Sequence, residues 1–226
     1  YLAWAQLCEA AADFPANSIT FHGVTGTNGK TTIAFLLRHL FRSRKCGLIS
    51  TVEYDTGNGS QPSSNTTPDA AGFQKILREM RQNNISDCIM ELSSHGLHQH
   101  RTGSARFRSA IFTNLTGDHL DYHNDMESYY QAKKILFSEL AEKNKIINID
   151  DEWGKRLHRE CGGYSLSLKD TNADFFVSDI LSIRRIRFCN ILFIQQIHIL
   201  NHLLTLHIEI PSLSRYSLNL FRVRMS

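Results

Sequence analysis

A lysine and a threonine at the end of a glycine-containing turn have the chemistry needed to bind nucleotide phosphates. The turn covers residues 23–32 and carries Gly26, Gly29, Lys30 and Thr31. Glycines let the main chain bend until its N–H groups face one concavity, and a following helix adds the positive end of its dipole. Lys30 can then reach the β- and γ-phosphates, and the Thr31 hydroxyl can bind Mg²⁺. We therefore predict a phosphate loop with these nucleotide-binding residues: Gly26, Thr27, Asn28, Gly29, Lys30, Thr31 and Thr32.

This loop departs from the strict GxxxxGK[ST] pattern at its first glycine. That glycine would lie at position 24, where this chain has Val24. Gly26 must therefore make the turn. The alternative, a glycine-rich turn with a surface lysine, fits the strand-then-helix context less well.

Two further side chains have chemistry beyond ordinary packing. Glu91 ends an apolar run typical of a buried strand, where it can reach a metal beside the loop; the alternative is a capping or solvated carboxylate. Lys133 lies on the apolar stripe of a predicted helix, beside Tyr129 and Tyr130, whereas Lys134 points elsewhere. An inward-facing ammonium is costly unless it is paired, so Lys133 either extends to the rim of the protein or has a special role.

The elements that must position these residues alternate along the chain. Apolar runs predict strands over 18–24, 46–51, 88–92, 109–115 and 145–149. Helical periodicity predicts helices over 31–42 and 126–138, and one that starts with Thr67 as N-cap and Pro68 at its first position. Residues 57–64 are predicted to be a loop. The pattern predicts a three-layer α/β fold whose mostly parallel sheet is covered on both faces.

Four separate segments together resemble the Mur ligase family, in the order and spacing of its members that add the third residue of the peptidoglycan stem peptide. The resemblance runs from about residue 1 to 153 and fades after about residue 179. The segments are the phosphate loop, Asn65-Thr66-Thr67-Pro68, Glu91-Leu92-Ser93-Ser94-His95-Gly96-Leu97 with Gln99 and Arg101, and Thr113-Asn114-Leu115 with Asp118-His119-Leu120-Asp121-Tyr122-His123.

The resemblance implies an ATP-dependent amide-forming ligase of peptidoglycan synthesis. The carboxylate of a UDP-N-acetylmuramoyl dipeptide would attack the γ-phosphate of ATP, and the amine of an amino acid would displace phosphate from the acyl phosphate. The implied domains are a remnant of a preceding domain at 1–16, the ATP-binding central domain at 17–179, and its divergent or truncated end at 180–226. The chain by itself is then expected to be inactive as a ligase.

The resemblance also implies roles for individual residues. Asn114 would join the nucleotide-binding set. The catalytic group would be Lys30, Glu91, His119 and Lys133; the Mg²⁺ ligands would be Thr31, Glu91, His119 and a carbamylated Lys133. The muramoyl peptide would be held by Thr66, Thr67, Ser93, Gln99 and Arg101.

Composition limits the other function classes. The net charge of +3 arises in the tail, where residues 180–226 have six arginines and one acid, so no nucleic-acid-binding face is expected. The most apolar stretch, 191–210, is too polar to cross a membrane. Five scattered cysteines without a CxxC pair favour a reducing cytoplasm. We expect a cytoplasmic monomer.

Two alternatives stay open. The chain can be a cyanophycin or folylpolyglutamate synthetase relative, or a truncated, non-catalytic nucleotide-binding remnant. Residues 164–226 contain no glycine, which fits either an irregular β-rich segment or a frame-shifted end.

Overall fold

The computed structural model describes residues 1–118, 120–177 and 223–225. Most of the predicted β-rich tail, and His119, lie outside the described residues. None of the helices in the described ranges is long and apolar enough to span a membrane. The helices are α1 (Leu2–Ala11), α2 (Lys30–Leu40), α3 (Ala70–Gln82), α4 (Ser94–His98), α5 (Leu120–His123), α6 (Met126–Ile135) and α7 (Glu152–Cys161). The strands are β1 (Thr20–Thr25), β2 (Cys46–Ile49), β3 (Glu53–Asp55), β4 (Ser60–Pro62), β5 (Asp87–Glu91), β6 (Phe107–Phe112), β7 (Ala141–Asn148), β8 (Tyr164–Ser167), β9 (Phe175–Val177) and β10 (Val223–Met225).

The described strands form one sheet in the order β10-β9-β8-β7-β6-β1-β5-β2-β3-β4. In the central part of the sheet, from β9 across to β2 in this order, each strand runs parallel to its neighbours. Antiparallel pairing occurs at the two edges, where β2, β3 and β4 follow one another and β10 pairs with β9. The predicted mostly parallel sheet is confirmed.

Side chains that alternate along each strand build two separate cores. On β5, Ile89 belongs to the cluster formed with Ile33 and Leu37 of α2. The next residue, Met90, faces the opposite side and belongs to the cluster that contains Phe73 of α3. Because successive strand residues point to opposite faces, both faces are buried and the domain has three layers.

The start of α3 corrects one prediction. Its N-cap is Asp69, whose carboxylate accepts a hydrogen bond from the Gly72 amide at 2.8 Å, and not Thr67. Pro68 therefore precedes the helix. The Thr67 hydroxyl is engaged elsewhere, because it donates to the main-chain oxygen of Glu91 at 3.2 Å.

Residues 57–64 also differ from the predicted loop. Ser60–Pro62 forms the edge strand β4, which pairs antiparallel with β3. This hairpin escaped the sequence analysis because a three-residue strand has too few positions to show a period of two. It extends the sheet beyond β2, beside α3.

The first helix is attached to the domain by a buried carboxylate. Glu9 is 3% exposed and accepts hydrogen bonds from the amide and the hydroxyl of Ser104, at 2.7 and 3.0 Å. Arg78 of α3 donates to the main-chain oxygen of Ala12. The helix thereby supports the loop that follows α4. This loop carries two of the residues that are predicted to bind the muramoyl peptide.

Candidate functional site

The phosphate loop lies between β1 and α2, as the sequence predicts. Gly26 has a φ of +141° and Gly29 a φ of +88°, conformations that side chains rarely adopt. A Cβ atom on Gly26 would lie 1.9 Å from the Thr113 hydroxyl oxygen and 3.0 Å from the main-chain oxygen of Asn114. Gly26 therefore makes the close turn that the glycine missing at Val24 would otherwise make.

A Gly26→Ala variant is expected to lose about 2–4 kcal/mol of unfolding free energy, since it combines backbone strain with overlap against a packed segment. Its affinity for an ATP analogue should fall as the loop distorts. Gly117→Ala is the matched control, because a Cβ there meets nothing within 4 Å and φ is not positive. Denaturant unfolding and calorimetry measure both effects; equal stability of the two variants would contradict the role assigned to Gly26.

The segment after β6 is hydrogen-bonded to the main chain of the phosphate loop. The Thr27 amide donates to the main-chain oxygen of Asn114 at 2.8 Å, and the Asn28 amide donates to Asn114 Oδ1 at 3.0 Å. In return, Asn114 Nδ2 and the Thr113 hydroxyl donate to the main-chain oxygen of Asn28, at 3.1 and 2.7 Å. The structure thus places Asn114, predicted to bind nucleotide, against the main chain of the loop. The amides at the start of α2, which have no intrahelical acceptor, are the donors left for phosphate.

Two lysines meet at one carbonyl oxygen of the loop. Lys30 Nζ donates to the main-chain oxygens of Gly26 and Thr27, at 3.0 and 2.8 Å. Lys133 Nζ donates to the same Gly26 oxygen at 2.9 Å. The two Nζ atoms therefore converge on the main chain of the loop, where phosphates would bind.

Lys133 is buried and does not extend to the rim of the protein. It is 2% exposed, and its Nζ lies 4.7 Å from the centre of the Tyr129 ring. Burial, and then the charge of Lys30, hold the pKa of Lys133 well below its usual value. Burial also lowers the pKa of Lys30. The next residue, Lys134, faces outward and forms an ion pair with Glu160 at 2.7 Å.

Glu91 joins the phosphate loop to the end of a neighbouring strand. Its carboxylate is fully buried and accepts a hydrogen bond from the Thr31 hydroxyl at 2.9 Å. The Thr51 amide and hydroxyl both donate to it at 3.1 Å. Thr51 was missed as a site residue by the sequence analysis, although its place after β2, next to β5, is a usable signal. Parallel neighbours end at the same edge of a sheet.

The residues predicted to bind the muramoyl peptide, called the acceptor residues below, lie at this same edge of the sheet. The hydroxyl oxygens of Thr51 and Thr66 lie 3.1 Å apart, within hydrogen-bond distance. The Ser93 amide donates to the Thr67 hydroxyl at 2.9 Å. Arg101 is linked to them, because its Nη1 donates to the main-chain oxygen of Thr67 at 2.8 Å. Three chain segments far apart in sequence therefore meet beside Glu91.

Gln99 completes the set. Arg101 Nε donates to Gln99 Oε1 at 2.9 Å, so the last two predicted acceptor residues contact each other directly. His119 lies outside the described residues. Its neighbour Asp118 is close enough that its charge raises the pKa of both Lys30 and Lys133, against the larger effect of burial.

The sequence profile described as the Mur ligase middle domain matches residues 24–200, most of the chain. The chain belongs to the Mur ligase family. The match extends beyond residue 179, where the motif resemblance fades. A UDP-N-acetylmuramoyl-L-alanyl-D-glutamate–2,6-diaminopimelate ligase of Gloeobacter violaceus is 48% identical over 155 residues, covering 68% of this chain and 32% of the relative. The Alkaliphilus oremlandii ligase of the same name is 36% identical over 207 residues, covering 88% of this chain and 41% of its own.

One solved structure supports the same family, and a more distant one shows the same fold. A ligase structure with that name superposes with a TM-score of 0.63 at 32% identity, covering 78% of this chain and 37% of its own. The Mycobacterium tuberculosis folylpolyglutamate synthase superposes with a TM-score of 0.61 at 13% identity, covering 80% of this chain and 50% of its own, which shows a shared fold alone. This Mur ligase chain spans about a third of the length of the curated relatives it matches.

Proposed function

We propose that this chain carries the ATP- and acceptor-binding site of a ligase that adds an amino acid to UDP-N-acetylmuramoyl-L-alanyl-D-glutamate. Residues 17–179 would form the ATP-binding central domain, residues 1–16 a remnant of a preceding domain or linker, and residues 180–226 the divergent or truncated end of the central domain. The names of the curated relatives support this acceptor, because they are ligases of that substrate with diaminopimelate.

One chain of hydrogen bonds carries the proposal. It runs from the Thr31 hydroxyl, next to Lys30, through the Glu91 carboxylate to Thr51, and from there to Thr66. The residues proposed to hold ATP are therefore joined through two side chains to those proposed to hold the acceptor. A reaction between the γ-phosphate and an acceptor carboxylate needs this proximity.

The Thr31 hydroxyl and the Glu91 carboxylate fit a magnesium ion. Both are oxygen donors, which Mg²⁺ prefers, and they lie 2.9 Å apart. The two donors from Thr51 orient the carboxylate. When bound, Mg²⁺ would supply positive charge beside the phosphates of ATP, and His119 is proposed as a further ligand.

The reaction begins with two anions that repel each other. An oxygen of the acceptor carboxylate forms a bond to the γ-phosphorus, and the bond to ADP breaks, which leaves an acyl phosphate. Lys30 neutralises the phosphate charge, and Arg101, with three of its five N–H donors left after Gln99 and Thr67, can hold an acceptor oxygen. The amine of the amino acid then attacks the acyl carbon, and phosphate leaves as the amine loses a proton.

Direct binding measurements test this function. The chain should bind Mg-ATP and, separately, the UDP-muramoyl dipeptide, as measured by calorimetry. A dihydrofolate glutamate conjugate offered as an alternative acceptor should not bind. Preference for that conjugate over the muramoyl dipeptide would overturn the proposed acceptor.

A Glu91→Gln variant is expected to need about tenfold more Mg²⁺, or higher, for ATP-analogue binding, because one ligand charge is lost. The new amide also turns an N–H₂ group toward the hydroxyl donors of Thr31 or Thr51. Magnesium titrations at fixed analogue concentration measure the change. Glu152→Gln serves as control, since Glu152 lies at the surface paired with Lys155; the same Mg²⁺ dependence in both variants would count against the assigned metal site.

A further inference from the structure

The hydroxyl of Tyr122 lies between two side chains from the end of α4. Gln99 Nε2 donates to it at 3.0 Å, and His98 Nδ1 lies 3.0 Å from it. The Tyr122 ring is held from another side, because it stacks on the ring of His95 with centroids 3.9 Å apart. Tyr122 belongs to α5, the short helix that begins directly after His119.

The direction of these hydrogen bonds is set by Arg101. A guanidinium has only donors, so Gln99 must turn its oxygen, Oε1, toward Arg101 Nε. The amide nitrogen then faces Tyr122, whose oxygen accepts from it. The Tyr122 hydroxyl proton is left to donate to His98 Nδ1, which requires the neutral His98 ring to carry its proton on Nε2.

We infer that Tyr122 is a positioning residue for the acceptor: its hydroxyl holds the amide nitrogen of Gln99 in place and, through Gln99, helps to hold the guanidinium of Arg101. This inference rests on the proposed function, which identifies the acceptor as the UDP-muramoyl dipeptide. Arg101 is held at its other edge by the main-chain oxygen of Thr67. The helix that follows His119 is thereby tied to the acceptor residues by consecutive hydrogen bonds.

Loss of the Tyr122 hydroxyl should loosen Arg101 without disturbing the packing. Tyr122→Phe keeps the ring that stacks on His95. The Gln99 amide nitrogen loses its hydrogen-bond acceptor, so the Gln99 side chain is held only by Arg101 and no longer restrains it. Arg101 would then adopt several orientations, and acceptor binding would have to restrict them.

The expected result is a selective change in binding. Tyr122→Phe should weaken binding of the UDP-muramoyl dipeptide about two- to tenfold, the effect of one hydrogen bond between neutral groups, while Mg-ATP affinity stays within about twofold. Tyr130→Phe is the matched control, because it also removes a hydrogen-bonded tyrosine hydroxyl, one that donates to Glu160 at 2.9 Å at the contact between α6 and α7. It should change neither affinity. The inference would be overturned if Tyr122→Phe bound the UDP-muramoyl dipeptide with unchanged affinity, or if its affinities for the dipeptide and for Mg-ATP fell equally.

A second measurement needs no ligand and separates this inference from the proposed function. The Nε–H resonance of Arg101 should shift in Tyr122→Phe and stay in place in Tyr130→Phe, as followed by ¹H–¹⁵N NMR. Lack of acceptor binding by the unaltered chain would refute the proposed function while this resonance still decides the role of Tyr122. An Arg101 resonance identical in all three proteins would refute that role.

Discussion

A Lys30→Ala variant is expected to fold normally and to bind ATP analogues about a hundredfold more weakly, or worse. Lys30 is proposed to donate charge-assisted hydrogen bonds to phosphate, each worth about 1.5–3 kcal/mol. Within the described part of the chain its Nζ donates to main-chain oxygens, those of Gly26 and Thr27. Lys133 still donates to the Gly26 oxygen when Lys30 is gone, so that carbonyl keeps a partner and the loop keeps its shape.

Lys134→Ala is the control for this experiment. Lys134 is also a lysine near the site in sequence, but its Nζ pairs with Glu160 on the outer side of α6. Calorimetry should show nucleotide binding unchanged in Lys134→Ala and lost in Lys30→Ala, with similar thermal unfolding of both. A folded Lys30→Ala variant with the affinity of the unaltered chain would refute the phosphate loop.

Sequence reasoning locates the phosphate loop and Glu91 because their signals are local. A glycine turn between an apolar run and a helical period needs no tertiary information, and neither does a carboxylate at the end of a buried strand. The meeting of Glu91 with Thr31 follows from topology. Both β1 and β5 are parallel and adjacent, so the residues after them share one edge of the sheet.

The incorrect N-cap shows where local rules end. Thr67 followed by Pro68 satisfies the local rule for a helix start, and so does Asp69 two residues later. The choice between them is made by a distant strand: the Thr67 hydroxyl bonds to the Glu91 main chain and to the Ser93 amide. Capping propensities consider only residues that are close in sequence, so they cannot account for such a contact. For the same reason the sequence could not show that Asn114 supports the loop or that Thr51 bonds to Glu91.

The burial of Lys133 makes a specific chemical change expected at this residue. The depressed pKa, caused by burial and by Lys30, raises the fraction of neutral amine, and the neutral amine attacks CO₂. The nitrogen forms a bond to the carbon of CO₂ and releases a proton, which converts the lysine into an anionic carbamate. We propose that this carbamate is a ligand for Mg²⁺, since it replaces a cation by two oxygen donors.

Added ¹³C-bicarbonate is expected to produce a carbamate signal in the ¹³C NMR spectrum of the intact chain. The signal should be absent from Lys133→Ala and present in Lys134→Ala, because Lys134 is paired with Glu160, which raises its pKa and keeps it protonated. Removal of CO₂ should weaken Mg²⁺-dependent ATP-analogue binding about tenfold or more, and bicarbonate should restore it.

Lys133→Ala adds a test of what the modified side chain does. In a full-length ligase this variant should lose most activity, and a small carboxylate such as formate should recover part of it by occupying the vacated space. If Lys133→Ala lost activity through packing alone, formate would not restore it. An anion in the cavity left by the lysine methylene groups would do little to replace their packing. Activity that is indifferent to bicarbonate, together with a fully active Lys133→Ala enzyme, would show that Lys133 acts unmodified or not at all.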